Sequence, residues 1–194
     1  MAGMKKVIFA TTNEDKFSSA HIALTERDIE IERKAAEVPE IQSENPEEVA
    51  RDKADKIYTK LKHPVIISDD SWSFDGLNGF PGVYMHSMNA WFSAKDFLNL
   101  TRSLTNRGVT LTQTIVYQDE DGQKVFVGKI PGTLLTEARG ETKHPSLSII
   151  SLDSDNGQSI AEAHANGTIS TKRATVQVWH EVAEWLDIHK FQEK

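Results

Sequence analysis

Two adjacent carboxylates and a hydroxyl, Asp69-Asp70-Ser71, are the side chains of this 194-residue sequence best arranged for chemistry. They follow Val65-Ile66-Ile67, a short apolar run with the pattern of a buried strand, and precede a stretch to Tyr84 broken by three glycines and a proline. A buried strand that delivers acids at its C-terminal end presents metal ligands or a base to a crevice. Successive strand side chains point to opposite faces, so one of Asp69 and Asp70 faces a given pocket and the other orients or caps. Aspartate is also a frequent turn residue, and two turn caps are the competing reading. The position behind a buried strand favours chemistry.

Three further groups surround this pair in the chain. Thr11, Thr12, Asn13 and Lys16 lie where a first strand, Lys5 to Thr12, passes into a helix capped by Thr12 or Asn13. Unpaired N–H groups and the positive end of the helix dipole make that turn an anion site in outline, although a capped helix with a solvated lysine explains the same residues. Lys53 flanks the apolar stripe Ala50, Ala54, Ile57 and Leu61 of a helix from Pro46 to about Lys62. It either snorkels to water or reaches over the sheet towards Asp69 and Asp70. Glu40, at the end of a second strand from Ile29 to Val38, is a candidate metal ligand beside them. Near the C-terminus Lys172 and Arg173 stand before a last helix, from about Thr175 to Phe191, as a solvated corner or as a phosphate or base contact.

The remaining elements are a helix over Met88 to Leu104, a hairpin of Val109–Tyr117 and Lys124–Ile130, and an irregular stretch from Pro131 to Pro145. Ser146–Leu152 and Ser159–Ala163 then flank a turn at Asp153 to Gly157. Trp91, Phe92, Phe97, Leu98 and Leu100 read as core or subunit interface rather than as a platform for stacking bases. The length suits one domain, with room for two lobes, over residues 1–194. A formal charge of −7 argues against a nucleic-acid polymer as partner, but a few local cations and a divalent metal still serve a small phosphorylated ligand. There are no cysteines, which excludes disulfides and thiolate chemistry. No apolar segment has the length of a signal peptide or a membrane span, and the expectation is a cytoplasmic protein without a membrane partner.

Taken in order, Ala10-Thr11-Thr12-Asn13-Glu14-Asp15-Lys16, Val38-Pro39-Glu40-Ile41-Gln42, Lys53-Ala54, Ser68-Asp69-Asp70-Ser71 and Leu77-Asn78-Gly79-Phe80-Pro81-Gly82-Val83-Tyr84 resemble the inosine/xanthosine triphosphate pyrophosphatase family. The resemblance implies an α/β fold with an elongated mixed β-sheet flanked by helices, two lobes around a central cleft, and a homodimer. It implies Mg²⁺-dependent hydrolysis of a nucleoside triphosphate, of the non-standard or deaminated purine type, to the monophosphate and pyrophosphate. Thr11, Thr12, Asn13, Lys16 and Ser71, with Lys172 and Arg173, would bind the substrate. Glu40 and Asp70 would bind metal, Lys53 would contact phosphate, and Asp70, assisted by Asp69, would activate water. The alternative is a catalytically silent nucleotide-binding or regulatory protein on the same fold, and a third reading is an unrelated metal-dependent phosphohydrolase. Retention of Glu40, Lys53, Asp69 and Asp70 favours the enzyme.

The C-terminal half departs from that family. Members follow an Arg-Gly with a Gly-Phe-Gly-Tyr-Asp-Pro-type stretch whose aromatic stacks on the purine; here Arg139-Gly140 is followed by Glu141-Thr142-Lys143-His144-Pro145-Ser146. The family's Ser-His-Arg is replaced by Thr171-Lys172-Arg173, the lysine before it falls near Gly167, and Trp72 stands where members carry a small residue. Base preference is therefore not carried over, and Trp72, Phe74 and His144 are the candidates for a substitute stacking surface.

Overall fold

The computed structural model describes residues 6–167 and 170–190, the side chains of 170–176 excepted. The chain forms a mixed sheet with strands β1 (Lys6–Ala10), β2 (Glu30–Lys34), β3 (Val65–Phe74), β4 (Pro81–Gly82), β5 (Gly108–Asp119), β6 (Gly122–Leu134) and β7 (Ile150–Leu152). Helices are α1 (Glu14–Thr25), α2 (Pro46–Leu61), α3 (Met85–Trp91), α4 (Ala94–Thr101), α5 (Ile160–Ala165) and α6 (Ser170–His189). The strand order is β2-β1-β3-β5-β6-β7, with β4 on β3. Strand β1 pairs in parallel with β2 and β3, whereas β3–β4 and β6–β7 are antiparallel.

Two compact units divide the chain. The first comprises Met1–Asp69, Gln113–Gly128 and Thr175–Lys194; the second comprises Asp70–Thr112 and Lys129–Ala174. In the first, the sheet carries an apolar layer on each face. Ile66 joins Phe9, Ala20, Leu24 and Trp179, while Val65 and Ile67 join Ala50, Ala54 and Ile57 of α2. That alternation is the period-two pleat of a strand covered on both sides. The second unit has its own core of Trp72, Phe74, Phe97, Leu134 and Ile149 with their neighbours.

Several elements differ from the sequence expectation. β3 does not stop at the aspartates but runs to Phe74, because Trp72 and Phe74 alternate with Ser71 and Ser73 and bury into the second core. The helix expected over Met88–Leu104 is two helices. Phe92 is extended, and Ser93 opens α4 with a capping box to Asp96. Strand β2 ends at Lys34, short of Val38, and α6 starts at Ser170, so Lys172 and Arg173 lie within the helix rather than before it.

The hairpin turn between β5 and β6 is tied to the end of α6. Lys190 Nζ lies 2.7 Å from Asp119 and 2.8 Å from Asp121, and the Tyr117 hydroxyl donates to Asp119 at 2.9 Å. Burial alone would raise the Asp119 carboxyl, but the bonds from Lys190, Tyr117 and the Asp121 N–H hold it below its ordinary value. Burial together with the bond to Asp119 raises the Tyr117 phenol, and Asp119 and Asp121 raise Lys190. A carboxyl with a depressed folded-state pKa contributes stability above its unfolded value and loses it as the pH falls through the folded one. Asp119→Asn should therefore cost about 1–3 kcal/mol at neutral pH. In urea unfolding, the gap between wild type and variant should hold from about pH 5 to 8 and close below about pH 4. A gap that persists unchanged into strong acid would show that this network does not carry the effect.

Candidate functional site

The first unit builds an anion-type turn at the end of β1. The Asn13 side chain accepts the Lys16 N–H at 3.0 Å, capping α1, and the Asn13 N–H donates to Thr11 Oγ1 at 3.1 Å. Thr11 is tied to β2 through its N–H and the Lys34 carbonyl, 3.2 Å apart. Thr12 and Asn13 are exposed. This is the capped helix start that the small polar residues predict, with Asn13 rather than Thr12 as the cap. Lys16 does not trail into solvent. Its Nζ donates to the Ser68 carbonyl at 3.4 Å, across 52 residues of chain. A cation from the helix start thus meets the peptide group that immediately precedes the paired acids.

On β3, Ser68 and Ser71 are buried and Asp69 and Asp70 are half-buried. The acids sit in mid-strand, between an apolar half and an aromatic half, not in a turn. That placement disposes of the turn-cap reading. Ile66 faces the Trp179 cluster and Ile67 faces α2, and the same alternation sends the two acids that follow to opposite faces.

Lys53 and Glu40 meet at 2.6 Å as an ion pair. Lys53 is the more sheltered partner, at 22% exposure against 54% for Glu40. Lys53 therefore does not stand free in water but holds Glu40. Lys56 and Lys60 repeat the pattern along the same helix, donating to the carbonyls of Pro39 (2.9 Å) and Glu37 (3.4 Å). The spacing of three and four residues puts the three ammonium groups on one ridge of α2, and that ridge fastens the segment after β2. No sequence signal beyond the spacing marked Lys56 and Lys60.

Among the described residues, no three Asp, Glu or His side chains converge as a metal cluster. The available donors are the carboxylates of Glu40, Asp69 and Asp70. Oxygen donors of this kind suit magnesium, which keeps several waters and binds through one or two carboxylates plus substrate phosphates rather than in an all-protein cage.

The second unit carries the Arg139-Gly140 marker. Arg139 binds Glu137 at 3.0 Å and the Gly157 carbonyl at 3.2 Å, and its own carbonyl accepts from Ser159 Oγ at 2.7 Å. Gly140 has φ +75°, and a Cβ there would lie 2.9 Å from the Glu162 nitrogen. The pair is a structural joint onto α5. Of the three candidate stacking residues, Trp72 and Phe74 are packed in the core and only His144 is exposed. The side chains of Lys172 and Arg173 lie outside the described residues.

The Ham1 family profile matches residues 7–177. A dITP/XTP pyrophosphatase of Methanopyrus kandleri is 35% identical over 137 residues, 70% of this chain and 73% of that protein. Inosine triphosphate pyrophosphatase 2 of Trypanosoma cruzi is 29% identical over 158 residues, 81% and 80% of the two chains. Among solved structures, a HAM1 protein from Coxiella burnetii superposes with a TM-score of 0.74 at 20% identity, over 94% of this chain and 98% of its own. The Staphylococcus aureus Ham1 protein gives 0.70 at 20% identity, over 93% and 98%. The profile spans both compact units, including β3 with its two aspartates: this chain belongs to the Ham1 family.

Proposed function

We propose that the protein hydrolyses non-standard purine nucleoside triphosphates to the monophosphate and pyrophosphate, removing them from the nucleotide pool. The single observation that carries this reading is Lys16 seated on the Ser68 carbonyl, which joins the anion-type turn to the strand of Asp69 and Asp70. Relatives named as dITP/XTP and inosine triphosphate pyrophosphatases support the substrate class.

In this reading Thr11, Thr12, Asn13 and Lys16 bind phosphate oxygens through hydroxyl, amide and ammonium groups, aided by the N-terminus of α1. Ser71 contributes a further hydroxyl, and Lys172 and Arg173 contact the nucleotide. Asp70 accepts a proton from water as the water oxygen bonds to the α-phosphorus. The bond from that phosphorus to the bridging oxygen breaks, and pyrophosphate leaves with the electron pair. Asp69 orients Asp70 from the other face of the strand. Lys53 exchanges its bond to Glu40 for one to phosphate. Glu40 and Asp70 would hold Mg²⁺, which when bound supplies positive charge to the phosphate oxygens. The location that goes with this reading is the cytoplasm, where nucleotide pools are. The exposed aromatics Phe80, Tyr84 and Trp91 of the second unit, Trp91 at 75% exposure, support a homodimer.

Asp70→Asn should lower kcat by about 10²–10⁴-fold while changing triphosphate affinity little. Pyrophosphate release from a panel of ribo- and deoxyribonucleotides, beside calorimetric binding, measures both. Turnover within tenfold of wild type would remove Asp70 from the role of base. No turnover by wild type on any nucleotide, with binding intact, would make the protein a nucleotide-binding regulator. Chelation should abolish pyrophosphate release and added Mg²⁺ restore it, and Glu40→Gln should raise the Mg²⁺ concentration needed for half-maximal rate. An unchanged metal dependence would leave Glu40 as a partner of Lys53 only. Sedimentation should show a dimer that Trp91→Glu weakens by at least tenfold; a monomeric wild type would overturn the assembly.

A further inference from the structure

The segment between β2 and α2, which carries Glu40, is fastened by side chains. Among the described residues, the main-chain hydrogen bonds of turns and loops include none from residues 35–44. The anchors are Lys60 on the Glu37 carbonyl at 3.4 Å, Lys56 on the Pro39 carbonyl at 2.9 Å, Lys53 on the Glu40 carboxylate at 2.6 Å, and Ser43 Oγ on Glu48 at 2.7 Å. The Lys56 bond differs in kind from the rest. The Pro39 carbonyl belongs to the peptide that joins Pro39 to Glu40, so an ammonium on its oxygen fixes the plane that carries the Glu40 nitrogen and Cα. Proline holds its own φ near about −65°, and it confines Val38 before it to extended backbone. The approach to Glu40 is thus stiff, and its last peptide is gripped.

Lys56 is itself braced. Its Nζ lies 2.6 Å from Asp52 Oδ2, one helical turn earlier on α2. That carboxylate oxygen is sealed from solvent and makes no other hydrogen bond. A sealed carboxylate oxygen stripped of its counter-charge is costly, so the pair keeps the ammonium at the Pro39 carbonyl. Lys53 stands in a different position. It grips the Glu40 carboxylate itself and must let go when a metal takes that group. Lys56 grips the main chain and has nothing to release. The Lys60 bond is longer and lies three residues before Glu40, where it has less hold on that side chain.

We propose that Lys56, braced by Asp52, is a positioning residue for Glu40: through the Pro39 carbonyl it holds that carboxylate ready for a divalent metal without touching the ion. The inference rests on the proposed role of Glu40 as a metal ligand and adds the residue that orients it. Groups that orient a metal ligand typically matter about 10–100-fold in metal affinity.

Mn²⁺ takes the oxygen ligands that suit Mg²⁺, and the electron paramagnetic resonance signal of the free ion measures its binding to the nucleotide-free chain without turnover. Lys56→Met should weaken Mn²⁺ binding by about tenfold. Lys56→Arg, which keeps a cationic donor, should recover most of the loss, and Lys60→Met should leave binding nearly unchanged. In a Glu40→Gln background Lys56→Met should have no further effect, because the two substitutions then remove one interaction. A lysine that serves stability alone would act equally in both backgrounds. If Lys56→Met does not fold, Asp52→Asn, which removes the brace and keeps the lysine, carries the test and should weaken binding severalfold. Unchanged Mn²⁺ affinity in the variant that folds, an equal loss in Lys60→Met, additivity with Glu40→Gln, or no Mn²⁺ binding by wild type would each overturn the proposal. The same pattern of Mn²⁺ binding in a wild type that releases no pyrophosphate would uphold Lys56 and overturn the hydrolase reading instead. Pyrophosphate release whose Mg²⁺ requirement Lys56→Met does not move would overturn the role of Lys56 and leave that reading standing.

Discussion

Strand β3 is covered on both faces over Val65–Ile67, and that double burial constrains everything that follows it in the chain. Ile66 belongs to the layer of Phe9 and Trp179, and Ile67 to the layer of Ala54 and Ile57. The pairing Ile8↔Val65 and Phe9↔Ile66 fixes the register. A slip of one residue would drive each isoleucine into the wrong layer and exchange the faces of Asp69 and Asp70. The directions of two adjacent, chemically identical acids are thus set by packing that begins at Val65. Their carboxylates emerge from a strand whose neighbours Ser68 and Ser71 are buried, so they are held by a rigid element rather than by a loop.

Electrostatics around that strand follow from chain-wide scarcity of positive charge. With a net charge of −7, anion binding requires cations concentrated by the fold. Lys16 comes from the first turn of α1 and Lys53 from the ridge of α2. Lys53, Lys56 and Lys60 each bond the Glu37–Glu40 segment, two of them through backbone carbonyls. Exposed ion pairs contribute little singly, but three anchors on one rigid helix fix the position of Glu40 to that of α2. Under the proposed function a triphosphate would compete with Glu40 for Lys53, and a metal would compete with Lys53 for Glu40. Each ligand would then release the group that the other needs.

Much of this was legible in the sequence because it rests on short-range rules. The Asn13 and Asn45 caps, Pro46 at the head of α2, and the Ala50, Ala54, Ile57 stripe all follow from local chemistry and period. The extent of β3 was not, since Ser71-Trp72-Ser73-Phe74 alternates as a strand yet leads directly into a glycine-rich segment that reads as loop. The α3–α4 break was hidden by continuous helical bulk from Met88 to Leu104; Ser93 and Asp96 form a capping box inside it. Which lysine meets which acid is a matter of tertiary distance. Lys53 was legible as flanking its stripe, but its choice of Glu40 was not. Nor does any local pattern announce that Lys56 grips the Pro39 carbonyl.

In the proposed function the two ends of the nucleotide fall under different physical rules. The proposed phosphate site draws on a helix N-terminus, strand acids and helix-borne lysines, all fixed by core packing. Changing them disturbs layers as well as chemistry. The segment after Arg139-Gly140 is a surface loop, and its invariant demand is only the close approach of Gly140 to the start of α5. Between that glycine and Pro145 the side chains of Glu141, Lys143 and His144 are exposed, where substitution costs the fold little. Trp72 shows the converse. Its large ring turns into the second core beside Phe74 and Phe97. Large aromatics near acids are therefore poor guides to base recognition here, and the accessible ring of His144, set on the loop rather than on the strand, is the one that packing leaves uncommitted.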